Sequence, residues 1–583
     1  MQSKYNWAIE EIYASVGEWE KDYKKVEREI DFSEFKGKLN DKKEFLACMK
    51  KEERLGRILE KLSVYAMMKH DENTRDSEGD RLYSKITSLG AKFGAQTSFI
   101  VTELTSLEQS VLNSYICDKE LSDYDYSLKC ILKGKEHVLG EKEEELLALS
   151  YESFSSFRDI FTKIDNADLD FGFIRHGLKK IPLSHGTYSV CLQSRNRRLR
   201  KKAFKKYYKG YVSLINTISS TYYGNVKKNA LLAKVRKYNG ALDMALSGED
   251  VDQVVYKKLI DSVNGALPLL HKYVCAKKKN LGLKEMHMYD MYVPTVKSAD
   301  IKLDYEKAYD LVIEGLSVLG PEYVDLLKKA RENRWLDVYE KQGKRSGAYS
   351  VAVYDTHPYV LLNYQQTTHD VFTIAHEMGH SIHSYYSNKN QPYRKADYKI
   401  FVAEVASTVN EVLLIKYLIK KESDKKVKKY LLSYLLEMIR TTLFRQTQFA
   451  EFEEFTHRQV ENGEPLTKES MCDEYMLLNE KYYGNAVISD EEIKYEWARI
   501  PHFYRAFYVY KYATGIISAM AIVKRIAEQG EKAIKDYFRF LSSGSSDGPV
   551  ELLKIAGVDL TSDKPYELAF SEFEETLNEY INL

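Results

Sequence analysis

The sequence is poor in the residues that break helices. It has ten prolines in 583 residues, well under the ~5% usual in soluble proteins, and glycine is sparse. Long stretches without breakers favour helix. Cysteine is scarce too. Cys48, Cys117, Cys130, Cys191, Cys275 and Cys472 are scattered and form no CxxC pair. That pattern suits a reducing compartment better than a disulfide framework. No apolar run approaches ~18 residues, so no transmembrane helix is expected. The longest, from Gly515 to Val523, stops at Lys524-Arg525. The first residues, MQSKYNWAIEEIYASVGEW, carry acids where a secretion signal needs an apolar run, so a cytoplasmic location is expected. An excess of one charge is also missing, with 87 Lys and Arg against 86 Asp and Glu. Neither nucleic acid nor a membrane surface is therefore an expected partner.

Tyrosine, by contrast, is abundant, with 46 residues. Its ring packs while its hydroxyl bonds, which serves both core edges and a peptide-binding groove. Residues 1 to about 345 read mainly as amphipathic helices. One runs from Ser33 through Phe45, Leu46 and Met49, and another from Arg81 through Ile86, Leu89 and Phe93. Ser194 to Tyr211 is rich in Lys and Arg, and a solvated helix face explains it more simply than an RNA patch. The stretch Tyr349 to Tyr364 changes period. Broken by Asp355-Thr356-His357-Pro358, it predicts a hairpin with strands near 349–354 and 359–364. From Thr367 the helical period returns, interrupted by the loop Ser542 to Pro549. A boundary near residue 200 divides an expected N-terminal helical lobe, 1–200, from a catalytic part, 201–583.

The chemistry centres on His376-Glu377-Met378-Gly379-His380. On a helix the two histidines lie on one face a turn apart and reach a single ion, while Glu377 beside them can take a proton from water at that ion. This HExxH spacing is that of zinc hydrolases, and it predicts one Zn2+ per chain. A catalytic zinc needs a third protein ligand. Glu404, inside the apolar run Phe401 to Val409, is a carboxylate in want of a cation. Glu411, two turns on, can orient a zinc histidine through its other nitrogen. His383 is the rival ligand, but three rings of one straight helix do not easily meet one ion, so it is expected near the site, bonding substrate or packing. Asp370 is either an outer support of the metal or a helix-start residue.

Downstream, Arg499 to Gly515 crowds His502, Tyr504, Tyr508, Tyr510 and Tyr512 together. Tyr504, Tyr508 and Tyr512 recur every four residues, the spacing of one helix face. Such a row of phenols either packs or bonds an oxyanion and a peptide backbone.

GKRSGAYS, YDTHPYVLLNY, HEMGHSIHS, FVAEVASTVNEVLL and IPHFYRAFYVYKYATG, in this order along the chain, resemble oligoendopeptidase F of the thimet-oligopeptidase-like M3 metallopeptidases. The opening YNWAIEEIYASVGEWE and the late FLSSGSSDGPVELLKIAGVDL resemble it as well, so the likeness spans nearly the whole chain. It implies a mainly helical, zincin-like ellipsoid of two lobes around a deep substrate channel, with a small sheet by the site. It also implies zinc on His376, His380 and Glu404, Glu377 as general base, and His502 and Tyr508 with a neighbouring Tyr as substrate and oxyanion groups. Lys511 departs from the thimet pattern, which leaves the second Tyr open between Tyr510 and Tyr512. The expected activity is endopeptidase cleavage of short unstructured oligopeptides. The alternatives are a dipeptidyl carboxypeptidase, with Arg345, Arg499, Arg505 or Lys511 holding the substrate carboxylate, and a non-enzymatic peptide-binding module with a structural zinc.

Overall fold

The computed structural model describes residues 4–296 and 302–583. Helix dominates. The elements used below are the helices α1 (Lys42–Glu72), α2 (Ile215–Val235), α3 (Thr368–Asn390), α4 (Ile400–Lys421), α5 (Arg445–Glu461) and α6 (Tyr510–Gln529). Among the described residues there are five short strands: β1 (Phe173–His176), β2 (Lys179–Pro182), β3 (Leu336–Asp337), β4 (Tyr349–Val351) and β5 (Tyr359–Leu361). Among the described residues no helix is long and apolar enough to cross a membrane.

The contacts divide the chain into two compact units, each assembled from three segments. Unit 1 comprises Met1–Glu136, Asp300–Leu418 and Ile522–Val558, and unit 2 comprises His137–Ala299, Ile419–Ala521 and Asp559–Leu583. The units are interleaved along the chain.

In unit 1 the N-terminal helices surround a core that includes Trp7, Trp19, Phe45, Leu62 and Tyr65. The expected helix from Ser33 does not run through. A short 3-10 turn covers Ser33–Phe35, and α1 starts only after Asp41, whose carboxylate accepts the Lys43 and Glu44 N–H groups. That cap supplies partners for donors the first turn leaves orphaned. The same core takes in Val353, Tyr359 and Leu361, so the small sheet lies directly on the N-terminal helices. The sheet order is β3-β5-β4. β4 pairs antiparallel with β5, Tyr349 opposite Leu361, within the stretch expected to form a hairpin. β3, which no periodicity announces, pairs parallel with β5 on its other side. β5 is thus the central, fully buried strand and β4 is an edge.

Among the described residues unit 2 is mainly helical, with an antiparallel ribbon β1–β2 that turns at Gly177 in a left-handed conformation, φ 59°. The basic stretch from Ser194 contains a helix over Arg197–Ser213, with Leu199, Phe204, Tyr207, Tyr208 and Tyr211 buried. Two of its arginines turn inward: Arg197 and Arg200 reach the buried Asp290 at 2.9 and 2.6 Å.

Candidate functional site

α3 opens on a capping box. The Thr367 hydroxyl accepts the Asp370 N–H at 3.2 Å, and the Asp370 carboxylate accepts the Thr367 N–H at 2.9 Å and the Gln365 N–H at 3.0 Å. Asp370 is therefore engaged at the helix start, one of the two places its sequence position allows.

Two turns on, Gly379 marks where α3 crosses α4. A Cβ there would lie 2.5 Å from Ser407 Cα and 2.7 Å from the Ala406 carbonyl oxygen. Only a hydrogen fits, so the two backbones touch. Asn410 reinforces the crossing by donating to the Ala375 carbonyl at 3.0 Å while its own oxygen accepts from Tyr323 at 2.8 Å. The close approach brings Glu404, one turn before Ser407, to the histidine face of α3. His376 Nε2 and His380 Nε2 are 3.2 Å apart, and Glu404 Oε2 lies 3.5 and 3.6 Å from them. Ligand atoms about 2.0–2.2 Å from one tetrahedral ion are spaced by roughly 3.3–3.6 Å, so this triangle fits a metal. Two imidazoles and a carboxylate also leave a fourth position open. Among the described residues these three form the one cluster of potential ligands.

α4 also orients the rings. Glu411 Oε1 lies 2.6 Å from His376 Nδ1, and His380 bonds the backbone of Ala403. Burial, the largest single influence, lowers the His376 imidazole, but the Glu411 hydrogen bond and the charges of Glu411, Glu377 and Glu404 together outweigh it and raise the pKa to about 9. His380, whose burial is not offset, is lowered to about 3. Glu377 is buried beside them, and burial pushes its carboxyl up to about 7. It accepts a hydrogen bond from the Ser350 backbone on β4. The Ser350 hydroxyl meets Ser381 of α3 at 2.8 Å, a second tie between sheet edge and motif helix. His383 lies apart from the metal cluster. Its ring stacks on Tyr398 at 3.8 Å and faces Phe540 at 5.3 Å, and burial lowers it to about 3. Of its two expected roles, the structure displays packing.

The aromatic cluster belongs to unit 2, and it is not one helix face. Pro501–Tyr504 is a 3-10 turn and α6 begins only at Tyr510. Phe507 between them has φ 50°, a left-handed conformation that costs a bulky L-residue about 1–3 kcal/mol. The break sorts the tyrosines. Tyr508 and Tyr512 meet edge to face at 5.5 Å, with the His502 ring 6.0 and 5.9 Å away. The Tyr512 hydroxyl is 3.4 Å from His502 Nε2. Tyr510 packs against Tyr256 at 5.3 Å and Tyr504 stacks on Phe161 at 4.5 Å, both in the core. His502, Tyr508 and Tyr512 are thus grouped, while Tyr504 and Tyr510 are not. Arg505 lies 4.1 Å over the Tyr508 ring.

Sequence reasoning missed what holds this segment. Asn225 of α2 donates to the Phe503 carbonyl at 3.2 Å. Glu453 of α5, fully buried, accepts the Phe507 N–H at 2.6 Å, and the His457 ring lies 4.6 Å from the Phe507 ring. These contacts fix the chain on both sides of the turn and maintain the unfavourable φ. Nothing separates Glu453 from its neighbours Glu451 and Glu454 within Phe449–Phe455, whereas Gly379 inside a helical run was a signal that could have been read. Nothing in the sequence marks Ser350 or Asn225.

Two outcomes are expected. Gly379→Ala forces α3 and α4 apart, at about 1–3 kcal/mol for overpacking, and should weaken metal affinity at least tenfold in a protein that still folds. Metal titration checks this, and unchanged affinity would show that the crossing does not set the ligand triangle. The second concerns Glu453. Burial pushes its carboxyl well above the usual range. The folded state therefore keeps a proton that the unfolded chain releases above about pH 4.3. Stability tied to that proton is full below the unfolded value and is lost as pH rises toward the folded one. Glu453→Gln retains an acceptor and has no proton to lose. Its stability relative to the parent should climb from about pH 4.5 to 7, by up to about 1.4 kcal/mol per pH unit. Thermal unfolding across that range decides, a flat difference counting against a protonated Glu453.

Comparison with known proteins gives a consistent picture. Residues 190–572 match the model of Peptidase family M3, and residues 103–171 match that of Oligopeptidase F. The chain is similar to Oligopeptidase PepF of Bacillus subtilis, 43% identical over 99% of this chain and 87% of that one. It is similar to an Oligoendopeptidase F homolog of Lactococcus lactis, 40% identical over 99% and 96% of the two chains. Among solved structures, a Chlamydophila abortus protein superposes with a TM-score of 0.95 at 36% identity, covering 100% of this chain and 98% of its own. Oligoendopeptidase-F from Enterococcus faecium gives 0.74 at 36% identity, with 97% and 98% covered.

Proposed function

The chain belongs to peptidase family M3, a metallopeptidase family, and from that premise we propose that it is a zinc-dependent oligoendopeptidase cutting internal bonds of short unstructured peptides. The observation that carries the reading is the His376, His380 and Glu404 triangle with the buried Glu377 on the same helix turn. A ligand set of two imidazoles and one carboxylate with an open position suits zinc. The chemistry a bound zinc supplies there is Lewis acidity toward a water and the scissile carbonyl.

The protein's own groups do the rest. Glu377 takes the proton of the attacking water and hands it to the departing amine nitrogen. Its buried carboxyl, with a pKa of about 7, suits a group that must accept and return a proton near neutral pH. Glu411 holds His376 in one tautomer, with Nδ1–H toward the carboxylate and Nε2 left for the metal. The substrate backbone lies along β4, because β5 has partners on both sides and no free edge to offer. Tyr508, with Tyr512 as its companion phenol, donates to the developing oxyanion, and His502 holds substrate. The family likeness and the grouping of these three rings support those roles.

A carboxypeptidase reading has less to draw on. Arg345 pairs with Asp71 at 3.0 Å, Lys511 with Glu249 at 2.6 Å and Arg499 with Glu496 at 3.3 Å. A peptide-binding module with a structural zinc leaves Glu377 without a purpose. The relatives named oligoendopeptidase F favour internal cleavage. Peptides are the expected partners.

Assay on a peptide amidated at its C-terminus tests both points. The parent protein should cut it as fast as the free acid, whereas Glu377→Gln should keep its zinc and lose about 10²–10⁴ in kcat. Near-normal turnover by the zinc-loaded variant would sink the mechanism. Tyr508→Phe should lower kcat at least tenfold with zinc retained, as for loss of one oxyanion donor. A change in KM alone would make Tyr508 a binding residue.

A further inference from the structure

Unit 2 holds a cavity of about 250 Å³ that the proposed chemistry does not use. Six of its lining residues matter here: Tyr188, Tyr208, Tyr292, Arg445, Glu496 and Arg499. Arg445 Nη2 and Arg499 Nη1 lie 2.5 and 3.3 Å from one and the same oxygen of Glu496. The other oxygen of Glu496 is taken by the Tyr475 hydroxyl at 2.6 Å. One carboxylate therefore answers two guanidiniums, and no other acid lines the cavity. The imbalance continues beside it. The buried Lys277 and Arg440 share Glu437 at 2.7 and 2.8 Å, and Arg440 lies 5.1 Å over the ring of Tyr292. Four cations thus face two carboxylates.

Aromatic rings take up part of this charge. Arg445 lies 4.5 Å from the Phe449 centroid, and Arg499 5.8 and 5.4 Å from Tyr188 and Tyr207. Such contacts are far weaker than the cost of burying an ion without a counter-charge. Unused donors converge on the same space. Tyr188 and Tyr208, only 4% and 1% exposed, line the cavity, and their hydroxyls bond no described residue. Arg499 Nε is also buried without a hydrogen-bond partner. Surplus positive charge and buried donors ask for a small negatively charged acceptor.

We propose that this cavity binds a small anion, of carboxylate or inorganic type, held by Arg499 and Arg445 and by the hydroxyls of Tyr188 and Tyr208. The site has a direct link to the aromatic cluster. Glu496 and Arg499 belong to the 3-10 segment Glu491–Arg499, which runs at once into the Pro501–Tyr504 turn that carries His502. An anion bridging the two guanidiniums steadies the chain at the point where it enters that turn. The inference does not rest on the peptidase reading, and its test needs no turnover.

The experiment is thermal unfolding of the full chain with its metal. Chloride, acetate or phosphate replaces a bulky sulfonate at constant ionic strength. The expected result is a saturable rise in Tm with at least one of the three. Half-saturation should be at least tenfold weaker in Arg499→Met, which leaves the Arg445–Glu496 pair intact, and in Tyr208→Phe, which removes only a hydroxyl. A tripeptide added as free acid or as amide identifies the source. Competition with the small anion by the free acid alone assigns the cavity to peptide carboxylates, and absence of competition assigns it to anions of the solution. A Tm that rises linearly with every salt, or saturation unchanged in both variants, overturns the site and leaves the cavity to water.

Discussion

The metal centre depends on a contact that involves no side chain at all. Where α3 meets α4, the space a Cβ would occupy at Gly379 is filled by the backbone of Ala406 and Ser407. Helices normally pack with axes 8–10 Å apart because side chains intervene. With no side chain at the crossing, the Glu404 carboxylate of one helix comes within 3.5 and 3.6 Å of the two imidazoles of the other. The remaining features follow from that approach. Glu411 reaches His376, Asn410 reaches the Ala375 carbonyl, and Glu404 closes the triangle. The four-residue spacing of the histidines aims two potential ligands, and the glycine between them admits a third.

The aromatic cluster is built on the opposite principle. Instead of regular helices in close contact, it uses an interruption held open by buried polar groups. Phe507 adopts a conformation that bulky residues avoid, and a carboxyl from α5 bonds its N–H. Part of the folding energy of unit 2 is thus committed to keeping Tyr508 and Tyr512 together and Tyr510 apart. Buried charge recurs through this unit, from Arg200 and Asp290 to Arg440 and Glu437. It ties helices together with directional contacts that an apolar core would lack.

How much of this was legible in the sequence follows from which signals are local. The HExxH spacing, the acid within an apolar helix and the hairpin stretch each declare themselves within a dozen residues, and the structure brings those residues together. The four-residue spacing of Tyr504, Tyr508 and Tyr512 was a local signal that misled, because it presumes an unbroken helix. The break is enforced by Glu453, more than fifty residues earlier. Likewise, no local signal announces that β3 pairs on the far side of the hairpin's second strand. A two-residue strand has no period to detect. The helix expected from Ser33 starts late because Asp41 caps it, a signal that was present and outweighed by the apolar spacing. The three-segment composition of each compact unit is not visible in composition at all, since both units draw on the same helix-rich repertoire.

That composition has a consequence in time. A ribosome delivers the chain from its N-terminus, so the helices around Trp7 and Trp19 emerge early. The sheet they pack on and the helix carrying His376 come several hundred residues later, and the segment Ile522–Val558 that completes their unit comes last. At 5–20 residues per second, the first helices wait on the order of half a minute for those partners. During that interval the apolar faces of the first 136 residues have only one another to cover them. No ligand triangle exists until Glu404 has been made, and its unit is incomplete until Val558 is. A peptidase of this family is thereby kept without its His376, His380 and Glu404 cluster while its own chain is unstructured and within reach.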